Sequence, residues 1–173
     1  VRIEGHERFW KLADNLNEPV RSQWIYANNT HTIDLLRFFG GEPSQIKTIA
    51  HSKIEKNGDQ FAAIMELEKG AIGHYAAHWY SPGGWGVVLY GEGATVEFKP
   101  LENGRWIDRQ FQMQTIEPDE VDIKYKPGFY AQMEAFGSMV RDGELPWPGQ
   151  DLEAAYRTML LAQNISGRVE VSQ

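Results

Sequence analysis

No cysteine occurs in the 173 residues, which excludes disulfides and thiolate chemistry. No Gly-x-Gly-x-x-Gly is present. Gly91-Glu92-Gly93 is followed by Val96, and Gly84-Trp85-Gly86 by Leu89, where a third glycine is required. A Gly-Lys-Ser/Thr step is missing too. With neither glycine loop for cradling phosphates, the chain by itself carries no recognisable nucleotide site. A Gly-x-Ser-x-Gly nucleophile elbow is also lacking. No apolar run approaches the roughly 20 residues that span a bilayer. No signal peptide is visible, and the first residue is Val rather than Met. The expectations are a cut or processed start and a cytoplasmic location. Positive charge is in deficit, 17 Lys and Arg against 24 Asp and Glu, for a net charge of −7. The basic residues are scattered, so neither a nucleic acid nor a membrane is an expected partner.

What is present suits one domain with a real core. Apolar residues make up 42%, with six Trp, seven Tyr and eight Phe. Residues 7–17 read as a helix with Phe9, Trp10, Leu12 and Leu16 on one stripe and Pro19 beyond its end. Residues 20–26 read as a short strand. A helix containing His31 follows and stops at Gly40-Gly41, with Pro43 beyond. The pattern then turns to period two. Segments 45–54, 60–68, 71–80, 85–90, 95–101 and 106–116 read as strands, separated by short Gly, Asn and Pro turns. Connections this short force antiparallel neighbours. Helical spacing returns at Phe129, Met133, Phe136 and Val140. Asp151 can cap a last helix whose inner face reads as Leu152, Tyr156, Met159, Leu160 and Gln163. Residues 168–172 suggest one more strand. The order predicts an α+β domain, a large mostly antiparallel sheet with helices on one face.

The other face of that sheet needs a cover. Segment 71–80 puts Tyr75 and Trp79 on one side and Ile72, His74, His78 and Tyr80 on the other. Only one side can face the helices, so a homo-oligomer or docking surface is expected. His74 and His78, four residues apart on a strand, are about 13 Å apart, too far to share one metal ion. The acidic residues Glu117, Asp119, Glu120 and Asp122 read as an exposed loop.

The densest chemistry lies at Tyr26-Ala27-Asn28-Asn29-Thr30-His31-Thr32-Ile33-Asp34. Two readings stand side by side. In one, Asn28, Asn29 or Thr30 caps the helix and Asp34 favours its first turn. In the other, His31 moves a proton near neutral pH, its neighbours bind hydroxyls, and Asp34 orients the ring or caps the turn. Free N–H groups of the first turn would face whatever binds.

The run Thr30-His31-Thr32-Ile33-Asp34-Leu35-Leu36-Arg37-Phe38-Phe39-Gly40-Gly41 is followed by the hairpin Met65-Glu66-Leu67-Glu68-Lys69-Gly70-Ala71-Ile72-Gly73. Then come Val87-Val88-Leu89-Tyr90-Gly91-Glu92-Gly93-Ala94-Thr95-Val96, Phe129-Tyr130-Ala131-Gln132-Met133-Glu134-Ala135-Phe136 and the Asp151 helix. In this order the strings resemble the C-terminal domain of the Gfo/Idh/MocA family. The resemblance implies that 1–173 is a single substrate and oligomerisation domain of an NAD(P)-dependent sugar or cyclitol oxidoreductase. The NAD or NADP would belong to the full-length enzyme. No cofactor is expected on this chain alone, because the family's Rossmann domain and its Glu-Lys-Pro lysine are not part of it. His31 would be the catalytic acid/base, and Tyr26, Asn28 and Trp79 the substrate contacts. The sheet face would make the oligomer. Many members have Asp four residues before the His; here that position is Ala27. The alternatives are a non-catalytic carbohydrate-binding or self-association module, and a subunit that meets a separate Rossmann protein in trans.

Overall fold

The computed structural model describes residues 1–68 and 70–167. It is an α+β fold with one eight-stranded sheet. The strands are β1 (Arg2–Gly5), β2 (Pro43–His51), β3 (Gln60–Leu67), β4 (Ile72–His78), β5 (Trp85–Tyr90), β6 (Ala94–Phe98), β7 (Gly104–Asp108) and β8 (Met113–Ile116). Their order across the sheet is β2-β3-β4-β1-β5-β6-β7-β8. The helices are α1 (Glu18–Ser22), α2 (Thr30–Gly40), α3 (Glu120–Lys124), α4 (Phe129–Asp142) and α5 (Leu152–Ile165).

β1 lies outside the expected pattern. It inserts between β4 and β5, parallel to the first and antiparallel to the second, with Ile3 opposite both Tyr75 and Val87. All other pairings are antiparallel. The expected helix over 7–17 is replaced by two 3-10 turns, Phe9–Lys11 and Ala13–Asn15. The backbone explains this. Glu7 N donates to His78 O (3.1 Å) and Phe9 N to Trp79 O (2.8 Å), so these amides extend the β4 edge and cannot start a helix. The strand expected over 20–26 is instead α1 and a π-helical turn, Ile25–Asn29. Pro19, read as a helix stop, sits in the first turn of α1, where its missing N–H is no loss. Asn17 caps α1 by accepting from Val20 N at 3.1 Å.

The single strand expected over 106–116 is the hairpin β7–β8. Asp108 Oδ1 accepts from Gln110 N (2.8 Å) and Gln112 N (2.9 Å), and Phe111 turns the chain at φ 60. A left-handed Phe gives no glycine signal to read. Part of the acidic loop is the short helix α3. The strand suggested at 168–172 falls outside the described residues.

Helices α2 and α5 cover the β1–β4 half of one sheet face. The core there joins Ile3, Phe61, Ala63, Met65, Tyr75 and Ala77 to Ile33 and Leu36 of α2 and Leu161, Ala162 and Ile165 of α5. The buried face of α5 is Thr158, Leu161, Ala162 and Ile165, rotated from the expected stripe. Leu152, Tyr156, Met159 and Leu160 are exposed. The anchor is polar. Arg37 on α2, with its side chain 9% exposed, donates to Thr158 Oγ1 (2.6 Å), Ala154 O (2.7 Å), Asp34 Oδ1 (3.1 Å) and Glu42 Oε1 (2.6 Å, from Nη2). Thr158 in turn donates to Asp34 Oδ1 at 2.5 Å. This network turns Thr158 inward and sets the rotation of α5. Gly40 permits the close approach of the end of α2 to β3, since a Cβ there would lie 2.1 Å from Leu67 Cδ1.

The opposite face carries Lys47, Ile49, Ile64, Ile72, His74 and His78, paired in register as Lys47↔Ile64, Ile49↔Ala62 and Ile64↔His74. Ile49, Ile64 and Ile72 are exposed there, as is Tyr90 on β5. Helix α4 has no buried residue, and its stripe of Phe129, Met133, Phe136 and Val140 is open. Among the described residues no helix is long and apolar enough to cross a membrane.

Candidate functional site

The π-helical turn runs directly into α2, so α2 has no separate start. This overturns the capping reading. Neither Asn28, Asn29 nor Thr30 caps α2 with its side chain. Asn29 is fully buried, and its Nδ2 donates to Gly5 O (3.0 Å) and Tyr75 Oη (3.1 Å). Thr32 Oγ1 donates to Asn29 O at 2.9 Å. Burial pushes the Tyr75 hydroxyl pKa up, so it stays a neutral partner in this knot. The knot seats the turn on β1 and needs Gly5, because a Cβ there would lie 2.6 Å from Tyr75 Oη and 2.8 Å from Asn29 Nδ2. Short π-helical segments inside helices recur at functional sites.

With Asn29 held inward, Asn28 and His31 face a cleft of about 740 Å³. His31 is exposed, and its ring centre is 6.0 Å from that of Trp85. Phe98 and Leu101 line it with Trp85, as do Asp122, Lys126, Phe129 and Gln132 of the α3–α4 region. Glu7, 9% exposed, does not line this cleft but bonds two residues that do. Its Oε1 accepts from Asn28 Nδ2 (2.8 Å) and Trp85 Nε1 (2.9 Å). Burial pushes the Glu7 carboxyl above its usual value; the bonds from Trp85 and Asn28 and the charge of Arg8 pull the other way. A second cleft of about 460 Å³, lined by His6, Glu7, Arg8 and Lys11, lies across Trp85.

Of the residues singled out in the sequence, the structure brings His31 and Asn28 together. Tyr26 packs against the core and is not among the residues lining the cleft. Trp79 is 2% exposed, its ring against Phe9 and Phe61, and it belongs to the core. Asp34 does not orient His31: its oxygens are taken by Arg37, Thr158 and Gln150. Ala27 is exposed. Trp85 and Glu7 went unread as site residues. The flanking Gly84 and Gly86 mark Trp85 as unusual, whereas Glu7 in His6-Glu7-Arg8 gives no signal. His74 and His78 are exposed on the open face, and His78 stacks on His6 at 5.4 Å. Among the described residues no group of three or more His, Cys, Asp or Glu could hold a metal ion.

The fold is an open, mostly antiparallel sheet with helices on one face and a cleft at the head of α2. The profile of the GFO/IDH/MocA C-terminal domain matches residues 2–97, and the chain belongs to that family. No curated protein matches its sequence. UDP-N-acetylglucosamine 3-dehydrogenase from Acidithiobacillus ferrooxidans is 14% identical, with a TM-score of 0.76 over 98% of this chain and 52% of that one. Levoglucosan dehydrogenase in complex with NADH is 14% identical, with a TM-score of 0.75 over 96% of this chain and 55% of that one. A dehydrogenase from Clostridium difficile is 16% identical, with a TM-score of 0.75 over 97% and 54%. The chain thus spans about half the length of these structures, and at such identities the likeness is one of fold.

Proposed function

We propose that this chain is the substrate-binding and oligomerisation domain of an NAD(P)-dependent sugar or cyclitol oxidoreductase. The observation that carries the reading is the convergence of His31, Asn28 and Trp85 on one cleft. Asn28 offers hydrogen-bonding groups to substrate hydroxyls, and the Trp85 ring offers an apolar face to a sugar ring. The exposed His31 imidazole takes the proton of the hydroxyl being oxidised, or returns it in the reverse direction. The residues present suit the substrate end only. No glycine loop opens a helix, so the pyrophosphate of a dinucleotide finds no cradle on this chain. A nicotinamide held by residues outside these 173 would supply the hydride acceptor. The chain alone is then inactive, and it works with a Rossmann domain in cis or in trans.

The open sheet face is the proposed homo-oligomer contact. Ile49, Ile64, Ile72 and Tyr90 leave apolar area uncovered there, with charged and His side chains between them. Sedimentation of the protein with Ile64→Asp tests this: a smaller species is expected, and an unchanged one refutes it. For the activity, full-length protein is assayed for nicotinamide reduction against a panel of sugars, sugar acids and cyclitols. Turnover of one of them is expected. A protein that binds a sugar tightly without cofactor yet reduces none is instead a carbohydrate-binding module.

A further inference from the structure

Glu7 is a buried carboxylate without an ion-pair partner among the described residues. The two bonds to its Oε1 come from the neutral side chains of Asn28 and Trp85. Burying a carboxylate in this way is unfavourable unless its hydrogen bonds compensate. The segment is also rigid, because Glu7 N and Phe9 N are both bonded to the end of β4. The donors arrive from separate elements, the π-helical turn and the start of β5, and both donor residues line the His31 cleft.

We propose that Glu7 is a positioning residue for this cleft. One of its oxygens fixes the Asn28 amide and the Trp85 indole in the orientations that receive a hydroxylated substrate. This rests on the cleft being the substrate site. The chemistry gives the orientation. An ionised carboxylate only accepts, so Asn28 gives an N–H to Glu7, which fixes the sense of the amide and leaves Oδ1 able to accept from a ligand. A substrate hydroxyl can donate to that oxygen. Trp85 likewise spends its N–H on Glu7, so its contact with substrate is through the ring face.

The test is a coupled pair of substitutions in the full-length protein. Asn28→Asp sets a carboxylate against the Glu7 carboxylate, and kcat/KM falls by about 100-fold, as loss of a bond to a charged group implies. Glu7→Gln keeps an acceptor for Trp85 and lowers kcat/KM by about fivefold. In the double variant the repulsion between two carboxylates is removed, because residue 7 is now neutral. At least about tenfold of the Asn28→Asp loss returns, a coupling that two residues acting independently do not produce. A double variant no better than Asn28→Asp alone overturns the proposal. A second readout needs no turnover: the indole N–H NMR signal of Trp85 shifts in Glu7→Gln, and a signal that stays put overturns the proposal as well. If no sugar or cyclitol is oxidised, the functional reading fails by itself. The indole signal and the thermal-unfolding cycle of the same variants then decide the role of Glu7: non-additive melting temperatures support it, additive ones refute it.

Discussion

Replacing Arg37 with Ala tests whether the polar link between α2 and α5 organises this domain. The guanidinium is nearly buried and donates to Asp34, Glu42, Thr158 and the carbonyl of Ala154. Removing one partner of a buried ion pair costs about 3–5 kcal/mol. Here the carboxylates are partly wet, with side-chain exposures of 23% for Asp34 and 38% for Glu42. Solvent screening reduces the figure to about 2–3 kcal/mol. For a protein of this size that is a fall of roughly 4–12 °C in melting temperature. The sign with pH follows from Glu42. A hydrogen bond from Arg37 holds its carboxyl below the usual range, so its share of the stability is present above the unfolded pKa. That share is lost as pH falls through the depressed value, and the gap between wild type and Arg37→Ala narrows in acid. Thermal unfolding between about pH 3 and pH 8 measures this. A loss under about 0.5 kcal/mol at neutral pH, the range of an ordinary surface substitution, refutes the reasoning. Asp34→Ala gives the companion result: it lowers stability but leaves the pH dependence of turnover in place, because Asp34 serves helix packing and not His31.

Other substitutions probe the ground beneath the site. Gly5→Ala drives a methyl into the Asn29–Tyr75–Thr32 knot and should lower stability by about 2–3 kcal/mol, read by denaturant unfolding; a change under about 1 kcal/mol contradicts the close approach. Glu7→Gln should be more stable than wild type at pH 8. The folded Glu7 holds its proton more tightly than the unfolded chain does, so wild-type stability falls as pH rises through that window, and the substituted protein has no such loss. A difference in melting temperature that does not grow from about pH 4 to pH 8 counts against burial as the dominant influence on Glu7.

Local signals made much of the fold legible. The Gly40-Gly41 stop, the alternation in β3 and β4 and the Asp151 cap are each written within a few residues of where they act. What escaped reading depends on distant partners. β1 is four residues long and takes its place from β4 and β5, some 70 to 85 positions away. Residues 7–17 have a helical pattern, yet their first amides are claimed by β4. The rotation of α5 follows Thr158, a polar residue that no hydrophobic periodicity places inside. The site divides in the same way. Asn28 and His31 share one short polar run, whereas Trp85 and Glu7 join them only through the fold. Trp79, expected as a substrate contact, sits on the covered face.

The central claim is that His31 carries the proton in an oxidoreductase whose substrate lies in this cleft. The direct measurement is kcat of the full-length protein with His31→Ala, on the sugar or cyclitol that the wild type oxidises. Because His31 is exposed and holds nothing in the core, the fold should survive, with an unchanged melting profile as the control. The account predicts a fall in kcat of about 10²–10⁴. A loss smaller than about tenfold, in a folded protein, would contradict it.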